Sequence, residues 1–518
     1  MGIRRASTIA SDITRYTVTE AVYDASTLGY PKMIVLGFQH LFAMFGATVL
    51  VPTLVGLNVS NTLLFTGLGT LLFHFITKRK VPSFLGSSFA FLAGYLTIAP
   101  NGEEELLPYA CLGVTFAGLC YLVLALIIKI GGIERIMKYF PPIVTGPIII
   151  AIGLTLSQSA INNCAKNWLT SSLTVILAVS CNIWGKGLIR IIPGLLSILG
   201  SVILTSLLLV FPHETVNGYI CMYGNENFRL FSEASIEAIK NVSWIGFPFK
   251  LDNTIIYVFK HLDMSLAMTA IITIVPIAVA TIVEHIGDIS AISSTCNRNF
   301  LSNPGLHRTL TGDGLATILA SLFGAPANTT YGENTGVLTI SKVYDPKVLE
   351  IAAIISIILS FSPKIAAFVS AIPTATTGGI SLILYGMISA VGVRNIIENK
   401  VNFTRTRNVI LAGLILVLSI GVTYSDQGSF IISFGKLKIS LSGLAIGSLV
   451  GIFFNAILPE KDYEFHAKPY ESPIKNNEIK ELPIIRSREL SEVKIIPSCS
   501  FNNTSDIKID NSEDQKES

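Results

Sequence analysis

The strongest constraint on this chain is a series of long apolar runs that recurs along most of its length. Hydropathy identifies about 14 such segments, some of them too short to cross a bilayer as plain helices. Only 14% of the 518 residues are charged and 51% are hydrophobic, whereas soluble domains are roughly 25% charged. The pattern predicts an all-α polytopic membrane protein.

The segments are predicted at 34–53, 61–77, 84–99, 108–129, 141–160, 168–185, 191–211, 265–288, 312–324, 328–342, 348–371, 373–391, 408–423 and 440–458. The transmembrane domain therefore spans 33–458. It is preceded by a polar segment, 1–32, with no apolar core of its own, so the first span is expected to serve as the insertion signal. Residues 459–518 are rich in Lys, Glu, Asn and Ser, which predicts a disordered tail.

Basic residues fall on alternate connections between the segments. They include Lys78-Arg79-Lys80, Lys129 with Arg135 and Lys138, Lys186 with Arg190, Arg298 with Arg308, Lys342 with Lys347, and Arg394 through Arg407. The opposite short connections, 54–60, 100–107 and 325–327, have no Lys or Arg. The positive-inside rule puts the basic side and both termini in the cytoplasm of a plasma or inner membrane. The scattered basic residues form no nucleic-acid footprint.

One stretch, 325–336, interrupts the apolar pattern with a proline, two glycines, adjacent threonines and the carboxylate of Glu333. Hydrocarbon tolerates non-helical backbone only where it is buried in protein or lines a wet cavity. An ionisable residue at that depth indicates a functional site. Glu333 is thus predicted to belong to a substrate site, although a carboxylate that only caps the helix after Asn334 is the alternative.

The two halves of the domain contain similar motifs at similar spacings. Gln39-His40 corresponds to Glu284-His285, and the Gly/Ser-rich stretch 84–91 corresponds to 331–337. Gln39 to Gly86 spans 47 residues and Glu284 to Gly332 spans 48. With seven segments per half, about 33–211 and 265–458 around an outward loop at 212–264, the second half enters from the opposite side. Interrupted segments at matching positions of an inverted repeat are the best sequence indication of a transporter's binding site.

Two carboxylates, Glu284 and Asp288, lie one turn apart on the same face of the eighth segment. Like charges in a low-dielectric site favour holding a proton, so these residues are candidates for proton coupling. The alternatives are a structural ion pair for Glu284 and a solvated carboxylate at the water boundary for Asp288. Across from them, Ser88 and its neighbours offer backbone amides, while Phe89 and Tyr331 offer rings for stacking.

Other polar residues have weaker signals. His285 points about 100° away from Glu284 and is interpreted as a packing or hydrogen-bonded residue. Gln39 or His40 is expected in the central region. Asp313 opens the predicted ninth segment, where an N-cap and a role in gating or coupling are equally favoured. The sequence shows neither metal-ligand spacing nor a nucleophile or phosphate-loop motif, so no metal, no cofactor other than a coupling proton and no enzymatic activity are predicted. Pairing of Cys164 with Cys221 stays open.

The chain resembles the nucleobase–ascorbate transporter family. The stretches that carry the resemblance are 39–48, 85–91, Val283-Glu284-His285-Ile286-Gly287, 303–308 and Asn328-Thr329-Thr330-Tyr331-Gly332-Glu333-Asn334, and the likeness covers about 31–458. It implies fourteen spans in two inverted halves forming core and gate domains, short strands in the third and tenth segments, and a homodimer. It also implies proton-coupled nucleobase uptake.

By the same resemblance, Glu284 and Glu333 bind the substrate, with Phe89, Tyr331 and Gly332 beside its ring. The Glu at 333 is typical of uracil carriers, because a carboxylate accepts from ring N–H groups, whereas the Gln of xanthine carriers both donates and accepts. Asp288 lies where the best-known uracil carrier has a histidine and many xanthine carriers have an aspartate, which favours a xanthine or broader purine carrier as the alternative. An anion exchanger or channel of the same fold, or a membrane enzyme, are further alternatives.

Overall fold

The computed structural model describes residues 21–459 apart from 101, 186–188, 190–192, 209–232, 249–253 and 435–436. All of these residues belong to one of the two compact units of the chain, 1–470. The other unit, 471–518, lies outside the described part, as do residues 1–20 and the predicted tail beyond 459. A few side chains within helices and strands, that of Glu333 among them, lie outside it too.

Helices follow one another in the order that hydropathy predicts, and each predicted segment contains one or more of the observed elements. In chain order these are α1 (Tyr30–Val55), α2 (Val59–Ile76), β1 (Leu85–Ser87), α3 (Leu92–Ile98), α4 (Leu107–Gly131), α5 (Ile133–Met137), α6 (Pro142–Cys164), α7 (Trp168–Ile183), α8 (Pro193–Leu208), α9 (Glu233–Asn241), α10 (Ile255–Lys260), α11 (Met264–Ile274), α12 (Ile277–Thr295), α13 (Leu306–Leu322), β2 (Asn328–Thr330), α14 (Gly332–Ser341), α15 (Pro346–Ser360), α16 (Pro363–Ser370), α17 (Thr374–Glu398), α18 (Thr406–Thr423), β3 (Ser429–Phe434), β4 (Leu437–Ser442) and α19 (Gly443–Ile457).

Within the described residues, seven helical stretches are long and apolar enough to cross a membrane. They are α1, α2, α4, α6, the pair α11–α12, α17 and α18. Three apolar helices, α7, α8 and α19, are shorter. The third and tenth segments each combine a strand with a short helix. The predicted fold class, about fourteen segments in a 7+7 arrangement with short strands in the third and tenth, is therefore confirmed.

The strands of these two broken segments pair with each other. β1 and β2 are antiparallel, with Leu85 opposite Thr330 and Ser87 opposite Asn328. The ladder continues at both ends, where Ser88 N donates to Ala327 O at 2.9 Å and Tyr331 N donates to Phe84 O at 3.0 Å. Each extended segment thus satisfies the backbone groups of the other, as non-helical backbone at membrane depth requires.

The corresponding fifth and twelfth segments, α6 and α17, pack against each other along their length. Both helices begin directly after a proline, at Pro141 and Pro373. Small residues let their backbones approach closely: a Cβ added at Gly153 would lie 2.2 Å from the carbonyl oxygen of Tyr385. One added at Gly392 would lie 2.6 Å from that of Gly146. Such small-residue contacts are how membrane helices associate without a hydrophobic driving force.

The structure corrects three details of the prediction. The eleventh segment, predicted as one span at 348–371, is two helices, α15 and α16, bent by 90°, because Pro363 ends the first of them. The helix of the fourteenth segment, α19, begins at Gly443 with Ser442 as its N-cap. A hairpin of β3 and β4 precedes it. The alternating apolar residues of β4 extend the hydropathic run backwards, which is why the segment was predicted to start at 440.

The third correction concerns Asp313, which does not cap a helix. α13 begins after Gly305 and continues through Gly312 and Gly314, so Asp313 lies in its interior. The two glycines persist in the helix because they allow close packing: a Cβ at Gly312 would lie 2.8 Å from Phe73, and one at Gly314 would lie 2.7 Å from Tyr121. The N-cap interpretation of Asp313 is therefore wrong.

A segment before α1 docks on the connection between α14 and α15. Val22 forms a parallel bridge with Val343, donating to Lys342 O at 2.9 Å and accepting from Tyr344 N at 2.8 Å. Ala25 N donates to Asp345 Oδ2 at 2.7 Å. Of the predicted polar segment 1–32, at least the part from Val22 onward is thus bound to the transmembrane domain.

Candidate functional site

The two broken segments meet at Gly86, against which the ring of Tyr331 lies. A Cβ at Gly86 would be 2.4 Å from Tyr331 Cε2, so any side chain there would displace the ring. The Tyr331 hydroxyl donates a 2.8 Å hydrogen bond to Ser87 O, and its oxygen lies 3.5 Å from the hydroxyl of Thr48. The first, third and tenth segments are thereby joined at one point. Whether the Tyr331 ring also contacts a substrate stays a prediction.

The eighth segment, α12, contacts the point where the third and tenth segments cross, and it does so through Asp288. The Thr330 hydroxyl, at the end of β2, donates to Asp288 Oδ2 at 3.1 Å. Asp288 is only 6% exposed, so it is not the solvated boundary carboxylate that was considered as an alternative. Glu284, one turn earlier on α12, is half-buried. Both carboxylates therefore lie on the helix that contacts the broken tenth segment.

A second buried carboxylate joins the same network from α13. His285 Nδ1 lies 3.0 Å from Asp313 Oδ2, and both side chains are fully buried. Thr329 also donates to Asp313 Oδ2, at 3.2 Å, while Thr330 Oγ1 lies 3.3 Å from His285 Nδ1. Because an ionised carboxylate only accepts, it favours the imidazole tautomer with the proton on Nδ1. His285 is thus hydrogen-bonded within the protein, as interpreted from its direction on the helix.

The N-terminus of α14 lies beside Asp288. A Cβ at Gly332 would lie 3.3 Å from Asp288 Oδ1, and Glu333 is the next residue of this helix. The helix dipole there favours negative charge. The Glu333 side chain lies outside the described part of the structure. Its role in substrate binding therefore stays a prediction, and the structure gives only the position of its backbone.

The first segment contributes His40 to the same region. Asn334 Nδ2 lies 3.3 Å from His40 Nδ1 and 3.4 Å from His40 O, and both residues are 1% exposed. Gln39, the adjacent residue, is half-buried. The contact agrees with the expectation that this dipeptide lies centrally, and it is His40 that reaches the tenth segment.

Ser88 and Phe89 are buried just after β1. The Phe89 ring packs edge-on against the ring of Tyr385, with centroids 5.5 Å apart and an interplanar angle of 79°. This geometry is favourable for two aromatic rings. Tyr385 belongs to α17 and is itself 2% exposed. The third and twelfth segments therefore touch through this aromatic pair.

Sequence reasoning did not single out Thr330 or Tyr385. Thr330 lies in the quoted stretch 328–334, but a threonine in a strand is expected there for its β propensity alone. Tyr385 lies within an unbroken apolar helix, where a tyrosine has no signal beyond burial. Among the described residues, no group of three or more His, Cys, Asp or Glu side chains is placed to hold a metal ion.

Residues 31–428 match the model of the Permease family (Xan_ur_permease). Over 451 residues, the chain is 37% identical to the uracil permease of Bacillus caldolyticus, covering 85% of this chain and 94% of that protein. It is 36% identical over 440 residues to the uracil permease of Bacillus subtilis (strain 168), covering 82% and 92%, and 35% identical over 432 residues to that of Escherichia coli (strain K12), covering 82% and 91%. The chain belongs to this permease family, and the resemblance to the nucleobase–ascorbate transporters is confirmed.

A solved structure supports the fold alone. The transmembrane domain of the cyanobacterial bicarbonate transporter BicA superposes with a TM-score of 0.51 at 12% identity, covering 84% of this chain and 99% of that domain. At this identity the similarity carries no information on the substrate. The membership and the fold together define an integral membrane permease.

Proposed function

We propose that this permease is a proton-coupled symporter that imports a nucleobase, with uracil as the first candidate. Similarity to several uracil permeases over most of the chain supports the substrate class. The observation that carries the proposal is the contact of α12 with β2 and α14, through Asp288, Thr330 and Gly332. It brings the carboxylate-bearing helix of the second half to the broken segment that contains Glu333.

Uracil suits such a site because it is flat and presents ring N–H groups beside carbonyl oxygens. Glu284 and Glu333 accept from its N–H groups, since carboxylates only accept. Backbone amides after β1, around Ser88 and Phe89, donate to its carbonyl oxygens, and Phe89, Tyr331 and Gly332 flank the ring. Asn334, His40 and Gln39 support the arrangement from the neighbouring helices.

The proton is held in the region of Glu284 and Asp288. Protonation there favours the outward-open state that binds uracil, and the proton leaves on the inner side after the core has moved against the gate. The buried chain of Asp288, Thr330, His285 and Asp313 gives that proton hydrogen-bonded neighbours on three segments. Both termini face the cytoplasm, and the transporter is a homodimer in the plasma or inner membrane.

A xanthine or broader purine carrier is the second candidate. The observation that favours it is Asp288, whose carboxylate occupies the position one turn after Glu284 where the best-known uracil carrier has a histidine and many xanthine carriers have an aspartate. A carboxylate bonded to Thr330 accepts hydrogen bonds but does not donate them when ionised. With Asp288 in place of a histidine, the site would therefore offer a substrate one more acceptor and one fewer donor.

Uptake of labelled uracil by a host that lacks its own uracil carrier tests the proposal. We expect uptake that is abolished by a protonophore and lowered at least 100-fold by Glu284→Gln or Glu333→Gln, because each removes a charged hydrogen-bond acceptor worth about 3 kcal/mol. Glu134→Gln, an exposed acid on α5, is the matched control. Full uptake by Glu284→Gln in the presence of a protonophore would overturn the mechanism. Inhibition by excess xanthine stronger than by excess unlabelled uracil would assign the purine alternative.

A further inference from the structure

A cavity of about 190 Å³ lies outside the candidate site, between the end of α4 and the turn that leads into α13. Its polar lining comes from Lys129, Asn299, Ser302 and His307. None of these residues takes part in the network around Asp288 and Asp313. The volume exceeds that of a single water several-fold, so the cavity admits a small polar group.

The charges around this cavity are positive. Lys129 is exposed at the last turn of α4, and His307 is half-buried at the first turn of α13. Arg308, the residue after His307 on α13, adds a second positive charge to this end of the helix. No carboxylate lines the cavity among the described residues; Glu134, on α5, is exposed and outside the lining. The cavity is therefore suited to an anion.

The helix surface beside Lys129 is apolar and exposed. Leu126 and Ile130 lie one turn apart on α4 and are 56% and 79% exposed, and Ile127 is 46% exposed. In a membrane permease, such a surface at the end of a spanning helix faces acyl chains. A polar cavity for an anion and a lipid-facing apolar stripe thus adjoin on the same helix.

We propose that the cavity binds the phosphate headgroup of an anionic phospholipid, with an acyl chain along Leu126 and Ile130. The Lys129 ammonium supplies the charge, and the His307 imidazole, the Asn299 amide and the Ser302 hydroxyl supply hydrogen-bond donors to the phosphate oxygens. Basic pockets at the cytoplasmic ends of membrane helices bind anionic headgroups in this way. An inorganic phosphate ion satisfies the same donors but leaves the apolar stripe unused.

Lipid retention by the purified full-length permease tests this proposal. The protein is exchanged into detergent with equal phosphatidylglycerol and phosphatidylethanolamine, and the lipids that stay bound are measured by native mass spectrometry. Lys129→Gln is expected to lower the association constant for phosphatidylglycerol about fivefold, since one basic residue near an anionic lipid contributes about 1 kcal/mol. Lys32→Gln, which removes an exposed lysine at the start of α1, should retain phosphatidylglycerol as the native protein does.

Further arms separate the alternatives. His307→Gln is expected to lower phosphatidylglycerol retention in the same direction, which keeps the test available if Lys129→Gln does not fold, and gel filtration reports folding of each variant. Equal retention of phosphatidylglycerol by the native protein and both cavity variants would overturn the proposal. Displacement of the lipid by millimolar inorganic phosphate, with no preference for phosphatidylglycerol over phosphatidylethanolamine, would assign the cavity to soluble phosphate instead. The readout is independent of nucleobase uptake, so failure of either proposal leaves the other standing.

Discussion

His285 and Asp313, on neighbouring helices of the second half, are joined by a 3.0 Å contact between Nδ1 and Oδ2 with no solvent exposure on either side chain. The contact lies beside the strand that crosses the third segment, because Thr329 and Thr330 bond to the same two side chains. The stability of the fold and the chemistry of the candidate site therefore depend on the same buried polar groups.

Removing Asp313 should destabilise the protein strongly. Asp313→Ala leaves the His285 imidazole and the Thr329 hydroxyl without this buried acceptor, at a cost of about 1–3 kcal/mol for each orphaned donor. Asp313→Asn keeps the shape and one acceptor oxygen, so its cost should be smaller. Thermal unfolding in detergent checks the order, with Asp426→Ala, an exposed loop carboxylate, as the control. Equal melting temperatures for Asp313→Ala and the native protein would contradict the structural role assigned to this pair.

A side chain at Gly86 should disrupt the crossing of the two broken segments. The new Cβ of Gly86→Ala would clash with the Tyr331 ring, 2.4 Å away, and force the ring to move. The hydrogen bond from the Tyr331 hydroxyl to Ser87 O is then lost. We expect uptake to fall at least tenfold, an effect of about 1.4 kcal/mol. Gly336→Ala, on α14, meets no atom within 4 Å and should be nearly neutral. Normal uptake by Gly86→Ala would show that the ring position is not needed.

Tyr23 should anchor the segment that precedes the first helix. Its hydroxyl donates to Cys296 O at 3.0 Å, and the guanidinium of Arg298 lies 4.2 Å from the centre of its ring. Tyr23→Ala removes both contacts, at a cost of about 1–2 kcal/mol. Limited proteolysis should cleave the variant faster before α1, whereas Tyr30→Ala, at a residue 80% exposed, should be cleaved like the native protein. Unchanged protection in Tyr23→Ala would mean that the backbone bridge at Val22 suffices.

The docking of this segment should also weaken in acid. Lys347 Nζ lies 3.1 Å from Asp24 Oδ1, and this hydrogen bond holds the pKa of the Asp24 carboxyl below its ordinary value. A carboxyl with a lowered pKa in the folded state contributes stability above its unfolded pKa of about 3.9 and loses that contribution as the pH falls through the folded value. Both groups are at the surface, so the effect should be small.

Proteolysis of native and Asp24→Asn protein at several pH values tests this dependence. The variant should be cleaved faster before α1 at pH 7, and the difference should vanish well below pH 4. A difference that is the same at both extremes of pH would show that the charge of Asp24 does not contribute.

The number and order of the membrane segments followed from hydropathy, because every residue facing hydrocarbon must be apolar. The break at 325–336 could be predicted because glycine, proline and asparagine interrupt the apolar pattern, and such residues at membrane depth indicate a non-helical backbone. The bend at Pro363 and the hairpin before α19 were not resolved by hydropathy, since the first lies inside a continuous apolar run and the second continues one. The N-cap interpretation of Asp313 was wrong because a Gly-Asp-Gly sequence indicates a helix boundary unless close packing compensates for the glycines.

By itself, the sequence determined the class of protein, the inverted repeat and the position of the carboxylates along two of its helices. These features are set by local polarity and by spacing along the chain, which need no knowledge of contacts. Only the tertiary structure decided that Thr330 bonds Asp288, that His285 pairs with Asp313, and that Phe89 meets Tyr385. Those contacts join residues that are 42, 28 and 296 positions apart, and their partners are chosen by the antiparallel crossing of β1 with β2 and by how closely the helices pack.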